Sequence, residues 1–321
     1  MLALVLGVLG CGIVFSIGGL QHRWKRLRSV FRALLVSYGT LVLLLVLGEA
    51  YFRFIHADSE GALAKTNWIA RYWQENSHGY RDSEWSADAW SGKVTVAAVG
   101  DSFTAGWGIA NPADRFTDIL AQSLGEGYRV FNLGLLGTST VEQTDTVRML
   151  PVAPDIIIWQ YFLNDIEYTL LRLGLYEAPP SANPITQDSY LANYLYSRVT
   201  AGFDAHYWER RYAADDNPSV WRAHEQEIIE FVTSAQERGS RLILVIFPNM
   251  ADPYRSIAYV DRVADAAASA GVEEVLKLFD AADAMPLNER IVSPRDAHPS
   301  VAFHHYVGER ITHEFFLNAG Q

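Results

Sequence analysis

The chain has 321 residues and a formal net charge of −11, and half of its residues are hydrophobic. That length suits one sizeable α/β domain with an accessory segment and is short for two independent enzymes. Six of the 26 Lys/Arg and one of the 37 Asp/Glu fall within residues 1–56, so the remainder carries a net charge of −16, a poor match for nucleic acid or another polyanion. Cys11 is the only cysteine, which excludes an intrachain disulfide and a cysteine-based zinc site.

The apolar excess sits at the N-terminus. Residues 1–20 and 33–48 carry no charge, and a membrane span needs roughly 20 apolar residues. The expectation is a transmembrane helical hairpin over residues 1–56, with spans at 2–20 and 31–49. Arg23, Lys25, Arg26, Arg28 and Arg32 crowd the connection, and positive charge in a short loop favours the cytoplasmic side. The protein is then a multi-pass protein of the inner (cytoplasmic) membrane, with everything past residue 50 on the periplasmic, extracytoplasmic side. Three readings compete. A cleaved signal peptide would need a basic start and a small-residue cleavage site, which are absent. The stretch before Cys11 loosely resembles a lipoprotein acylation box, again without the basic start. Two buried core helices sit badly with charge-free runs of this length. Inside the spans, Tyr38, Glu49 and the small residues Gly18, Gly19 and Gly39 hint at docking on membrane-protein partners.

Residues 57–92, polar and rich in aromatics, read as a stem packed on the domain that follows, 93–321. VTVAAVG (94–100) is a short apolar run of buried-strand character. A helix is expected over 112–124 with Pro112 in its first turn. YRVFNLG (128–134) is the second strand, 140–150 a helix, and DIIIWQYF (155–162) the third strand. A helix over 220–238 leads to RLILVIFP (241–248). A helix over 254–270 precedes a weaker strand at 275–280, and the closing helix begins at Pro299. Strands alternating with helices predict a parallel sheet covered on both faces, a three-layer α/β/α domain. Residues 166–218 break the rhythm and read as a lid-like insertion.

Sites in open α/β sheets form at the carboxyl ends of strands, and this chain places unusual residues at those ends. Gly100-Asp101-Ser102 follows the first strand, Asn132-Leu133-Gly134-Leu135-Leu136-Gly137 closes the second, Asn164-Asp165 follows the third, and Asp296-Ala297-His298-Pro299 precedes the last helix. A serine hydroxyl becomes a nucleophile when a base takes its proton. His298 suits that task, and Asp296 would accept the other imidazole N–H and fix the tautomer. The N–H groups of Ser102 and Gly137 and the amide of Asn164 would hold an oxyanion, each donor worth roughly 3 kcal/mol. Each piece also has an ordinary use: Asp101 as a helix cap, Gly134 and Gly137 in a tight turn, Asn164 bonding loop backbone, His-Pro as a helix start. It is their joint appearance, in order and at element boundaries, that points to acyl transfer.

These blocks resemble those of the SGNH (GDSL-like) hydrolases. GDSFTAGWG is similar to the first block, NLGLLG to the glycine block, LND to the asparagine block and DAHPS to the Asp/His block, over about residues 94–320, and NSHGYRDSEW upstream resembles the stem of membrane-anchored members. The resemblance implies a flavodoxin-like sheet, no metal and no cofactor, and Ser102, Gly137, Asn164, Asp296 and His298 in the roles above, with Asp101 and Asp165 supporting. Two departures stand out. Phe162 occupies the place of the asparagine block's usual glycine, where it either narrows the acyl pocket or points into the core. The Asp-to-His spacing is two rather than three, as in other membrane-anchored members.

His304 and His305 with His298 would make a metal site only if helix positions i and i+1 faced one way, which they do not. The Trp and Tyr residues of 67–90 and 189–221 either stack on sugar rings or pack the stem and lid. Asp215-Asp216 reads as a solvated loop. The functional expectation is a serine esterase at the outer, periplasmic face of the inner membrane, removing O-acyl, chiefly acetyl, groups from an envelope glycan or lipid-linked substrate. O-acyl transfer by the same residues is a close variant. A scaffold subunit of a membrane complex, retaining the fold without catalysis, is the alternative from a different class.

Overall fold

The computed structural model describes residues 25–61, 63–176, 184–200 and 205–317. Helix α1 (Lys25–Phe54) comes first, then α2 (Ala64–Tyr72), β1 (Val94–Gly100), a single turn α3 (Ser102–Ala105), α4 (Phe116–Leu124), β2 (Tyr128–Gly134), α5 (Thr140–Met149) and β3 (Ile156–Phe162). There follow α6 (Asp165–Arg172), α7 (Tyr190–Thr200), α8 (Ala205–Asp216), α9 (Pro218–Glu237), β4 (Arg241–Phe247), α10 (Ile257–Ser269), β5 (Glu274–Lys277), a hairpin of β6 (Ile291–Ser293) and β7 (Asp296–Pro299), and α11 (Val301–Ile311).

β1 to β5 form one parallel sheet in the order β2-β1-β3-β4-β5. Every residue of β3 and all but the first of β1 are buried, as strands covered on both faces should be. α4 and α11 pack together beside β2, while α5, α9 and α10 cover the rest, giving the expected three layers. The chain leaves β1 toward β2 and then returns past it to β3, so the connections diverge at the carboxyl end of β1. That divergence opens the crevice in which such sheets carry their sites.

The turn after β1 is held by its neighbours. Gln160, a lone amide in the middle of β3, accepts from Asp101 N at 3.1 Å, Thr104 N at 3.2 Å and Thr104 Oγ1 at 2.9 Å through one oxygen. A Cβ on Gly100 would lie 2.4 Å from that same oxygen, and one on Gly134 would lie 2.2 Å from Ala105 N. Asn132 of β2 completes the clamp, donating to Thr104 O at 2.7 Å and Thr117 Oγ1 at 2.8 Å.

The stem lies against this end of the domain. Arg81, buried, donates to the carbonyl oxygens of Gly106, Ile109 and Tyr72. Trp90 stacks on Phe131 of β2 at 3.9 Å between ring centres.

Several expectations change. Span 2–20 lies outside the described residues, so the two-helix hairpin is not seen. Lys25, Arg26, Arg28 and Arg32, expected in a connection, lie in the first turns of α1. One stretch of that helix, Arg32–Phe54, is long and apolar enough to cross a membrane, and its apolar window is not buried in the protein. The insertion at 166–218 is largely helical among its described residues. α7 rests on the C-terminal end of α1, where Phe52 stacks on Tyr194 at 4.1 Å. Glu49, read as a hint of partner docking, instead accepts from Ser189 Oγ and the N–H groups of Tyr190 and Leu191, capping the start of α7. The closing helix starts at Val301, because Pro299 ends β7 and Ser300 caps the helix through Phe303 N.

Asp215 is not in a solvated loop: it lies in the last turn of α8, is 2% exposed, and its backbone carbonyl accepts from Arg262. Asp216 beside it is exposed and accepts from Tyr259. Burial pushes the Asp215 carboxyl up to about 8, against the partial relief of Arg262.

Two outcomes follow from these contacts. Gln160→Leu removes the acceptor of two buried N–H groups, each costing about 1–3 kcal/mol when unpaired, and urea unfolding should show a loss of about 2–5 kcal/mol. Between the ordinary carboxylate range and pH 8, folded Asp215 keeps a proton that the unfolded chain releases, so stability falls as pH rises. Asp215→Asn abolishes that fall: it should melt above the wild type, with the gap widening by at least about 2–4 °C from pH 5 to pH 8.

Candidate active site

Ser102 is the first residue of α3, immediately past β1. Asp101 caps this turn by accepting from Phe103 N at 2.8 Å, and Gly106, at φ +75°, closes it in the left-handed region. A residue with a Cβ would be strained there. Asp296 and His298 lie on β7. Side chains two apart on a strand share a face, which is how a spacing of two brings acid and imidazole together.

Ser102 Oγ lies 2.8 Å from His298 Nε2, and His298 Nδ1 lies 2.5 Å from Asp296 Oδ1. Asp296 Oδ1 also accepts from His298 N at 3.2 Å. The three residues therefore form one hydrogen-bonded row running from the sheet to the β6–β7 hairpin. Asp296 is 4% exposed. Burial raises its carboxyl, but the His298 charge, the His298 ring N–H and the Ser59 hydroxyl outweigh that and hold it below the usual carboxylate range. An ionised acceptor on Nδ1 leaves Nε2 free to accept from the serine hydroxyl.

The predicted oxyanion donors stand at the neighbouring strand ends. Gly137, in the turn after β2, has φ +67°, and a Cβ there would lie 3.3 Å from the Tyr168 hydroxyl. Asn164 follows β3 at the start of α6, yet its side chain makes no cap bond to that helix, and its buried Oδ1 has no hydrogen-bond partner among the described residues. The amide oxygen is thus not committed to loop backbone.

Asp101 and Asp165 are both buried beneath this end of the sheet. Burial raises Asp165 well above its usual range, and the nearby Asp101 charge raises it further. Asp101 is raised by burial too, against the Phe103 N–H and the His298 charge. Thr140 Oγ1 donates to Asp165 Oδ2 at 2.8 Å, tying the start of α5 to the start of α6.

Phe162 points into the core: it is 6% exposed, stacks on Phe103 at 4.1 Å and meets Trp208 edge-on. It buttresses the serine turn from below. Phe103 and Trp107 flank the His298 ring at 5.2 and 6.3 Å between centres, and Trp107 in turn meets Trp68 and Trp73 of the stem. His304 is buried away from His298's partners, with Nδ1 accepting from Phe116 N; burial and the Arg115 charge lower it to about 3. His305 lies 3.6 Å from Asp114. Among the described residues, the three histidines do not form a cluster that could hold a metal ion.

Sequence reasoning missed Gln160 and Ser59. Gln160 carried a signal, a carboxamide inside an apolar run meant to be buried. Ser59 carried none, and its hydroxyl donates to Asp296 Oδ2 from a segment 237 residues away.

The GDSL-like lipase/acylhydrolase family model matches residues 98–306. Similar solved structures include the lipase/acylhydrolase from Enterococcus faecalis (16% identity, 68% of this chain and 94% of that one, TM-score 0.43). Others are a member of the lipolytic G-D-S-L family from Veillonella parvula DSM 2008 (12%, 69% and 97%, 0.42) and Est24, a carbohydrate acetylesterase from Sinorhizobium meliloti (16%, 69% and 97%, 0.39). No curated protein matches the chain. With two thirds of its length carrying the family's pattern, and that pattern's blocks converging on one strand-end crevice, the chain belongs to the GDSL-like lipase/acylhydrolase family.

Proposed function

We propose that the protein is a membrane-tethered serine esterase that removes O-acyl groups, chiefly acetyl, from an envelope glycan or lipid-linked substrate. The observation that carries this reading is the row Ser102 Oγ–His298 Nε2–Asp296, at 2.8 and 2.5 Å. In the proposed reaction, Ser102 Oγ attacks the ester carbonyl while His298 Nε2 takes its proton. The tetrahedral oxyanion is held by Ser102 N, Gly137 N and the Asn164 amide. His298 then returns the proton to the leaving alkoxide, and the acyl group stays on Ser102. Water, deprotonated by His298, releases the acid and restores the serine. A sugar hydroxyl in place of water would make the same acyl-enzyme a transferase.

Tethering is supported by the exposed apolar surface of α1 over Arg32–Phe54. Lys25, Arg26, Arg28 and Arg32 gather at the end of α1 away from the domain, and positive charge marks the cytoplasmic end of a span. With that orientation the hydrolase domain lies on the periplasmic side. A span over residues 2–20 would make the protein multi-pass. The scaffold alternative loses one support, since Glu49 is engaged within the chain.

A fluorophosphonate probe applied to the detergent-purified full chain should label Ser102, identified by peptide mass spectrometry. Ser102→Ala and His298→Ala should abolish labelling and cut hydrolysis of p-nitrophenyl acetate by roughly 10^4–10^6-fold. A folded wild type that takes no label would defeat the reading in favour of the scaffold. Comparing acetyl with octanoyl esters tests the acyl class: an acetyl substrate is expected to react faster.

A further inference from the structure

The chain between the apolar helix and the domain runs directly past the acidic member of the catalytic row. α1 ends where Ile55 N and His56 N bond Tyr51 O. Three residues later Ser59 is 7% exposed, and Glu60 beside it is 8% exposed. Ser59 Oγ donates to Asp296 Oδ2. Glu60 Oε2 accepts from Ser293 Oγ at 2.7 Å, and Ser293 Oγ accepts from Arg295 N at 3.1 Å and Asp296 N at 3.2 Å, closing the β6–β7 turn. Glu60 Oε1 pairs with Arg198 of α7 at 2.6 Å and lies 3.5 Å from Arg295 Nη1. α7 is itself capped by Glu49 of α1. One polar chain therefore links the apolar helix, α7, the strap at residues 55–61 and the acid of the row.

The two carboxylate oxygens of Asp296 divide their partners. Oδ1 serves His298 alone, by ring and by backbone N–H. Oδ2 is served by Ser59, the one donor to this carboxylate, among the described residues, that lies outside β7. Asp296 is almost wholly buried, and an unpaired buried carboxylate oxygen is costly. Without the hydroxyl the group gains by turning Oδ1 away from His298 to share its donors, or by drawing water into the hairpin. Either response loosens the imidazole. Outer partners that fix a catalytic carboxylate act on geometry, not on the substrate.

We infer that Ser59 is a positioning residue for the Ser102–His298–Asp296 row, so that catalytic competence depends on the juxtamembrane strap being seated. The inference rests on the hydrolase reading for its kinetic consequence, but the hydrogen bond has a readout of its own. The test uses the full chain in detergent, comparing wild type, Ser59→Ala, Ser59→Thr, Asp296→Ala and the double variant Ser59→Ala/Asp296→Ala.

In 15N-histidine-labelled protein, the far-downfield His298 Nδ1–H resonance, identified by its loss in Asp296→Ala, should shift and broaden in Ser59→Ala and return in Ser59→Thr. Ser59→Ala should lower kcat for p-nitrophenyl acetate roughly tenfold with KM within about twofold, the hydroxyl's bond to a charged acceptor being the only contact removed. Ser59→Thr should recover most of that loss. In the Asp296→Ala background the Ser59 substitution should cost nothing further, as expected when one residue acts only through the other. An unchanged resonance in Ser59→Ala overturns the inference, as does an equal kcat loss in both backgrounds. A wild type that shows the resonance but takes no fluorophosphonate label sinks the hydrolase reading alone, and the spectra of the Ser59 variants still decide the contact.

Discussion

The crevice exists because β2 and β3 close on the turn after β1 until no Cβ fits. Gly134 meets the backbone of Ala105, and Gly100 faces the Gln160 carboxamide, each at a separation that a side chain would violate. The closeness has an energetic counterpart: one buried oxygen of Gln160 pairs two N–H groups and a hydroxyl that an apolar β3 would leave unpaired. Around this clamp the remaining parts need only local rules. Asp101 caps a one-turn helix, a two-residue period on β7 sets acid beside base, and the hairpin lowers both toward the serine.

Much of this was legible in the chain itself. Four of the five parallel strands announce themselves as short, mostly apolar runs because both faces of the sheet are covered, β5 (Glu-Val-Leu-Lys) being the weak one. Ser102 stands at the abrupt change from apolar to polar after β1, while Asp296 and His298 precede the last helix. What could not be read depended on distant partners. The helices of 166–218 pack on α1 and on one another, so their exposed and buried faces do not follow a pattern set by the sheet. Asp215 looks like one of a solvated pair until α8 buries it. Ser59 is a plain serine in a polar stretch, and only folding places it against a carboxylate so remote in sequence. Pro299 misled for a simpler reason: a proline before a helical run is as compatible with the end of an edge strand as with the first turn of a helix.

The acidic groups beneath the site show how one residue type is put to separate uses by surroundings. Asp296 has donors on both oxygens and stays ionised, as the orienter of an imidazole must. Asp165, buried with the Asp101 charge nearby, is pushed the other way. The same carboxyl chemistry is thus kept charged where it faces His298 and driven toward neutrality where it supports the sheet end.

The junction between α1 and the domain leaves little slack. The helix keeps its regular form through Phe54, its last turns are pinned to the start of α7 by Glu49, Arg53 and Phe52, and the strap is bonded to the hairpin by Ser59 and Glu60. Residues 55–59 span at most about 18 Å even when fully extended. On the proposed tethering, with Arg32–Phe54 lodged in a bilayer, Ser59, the hydrogen-bond partner of the Asp296 carboxylate, stands no farther than that from the end of the span. The protein then works as a fixed-height tool, not a domain on a leash. On the proposed esterase reading, the esters such a protein would reach are those within a thin layer over the lipid headgroups.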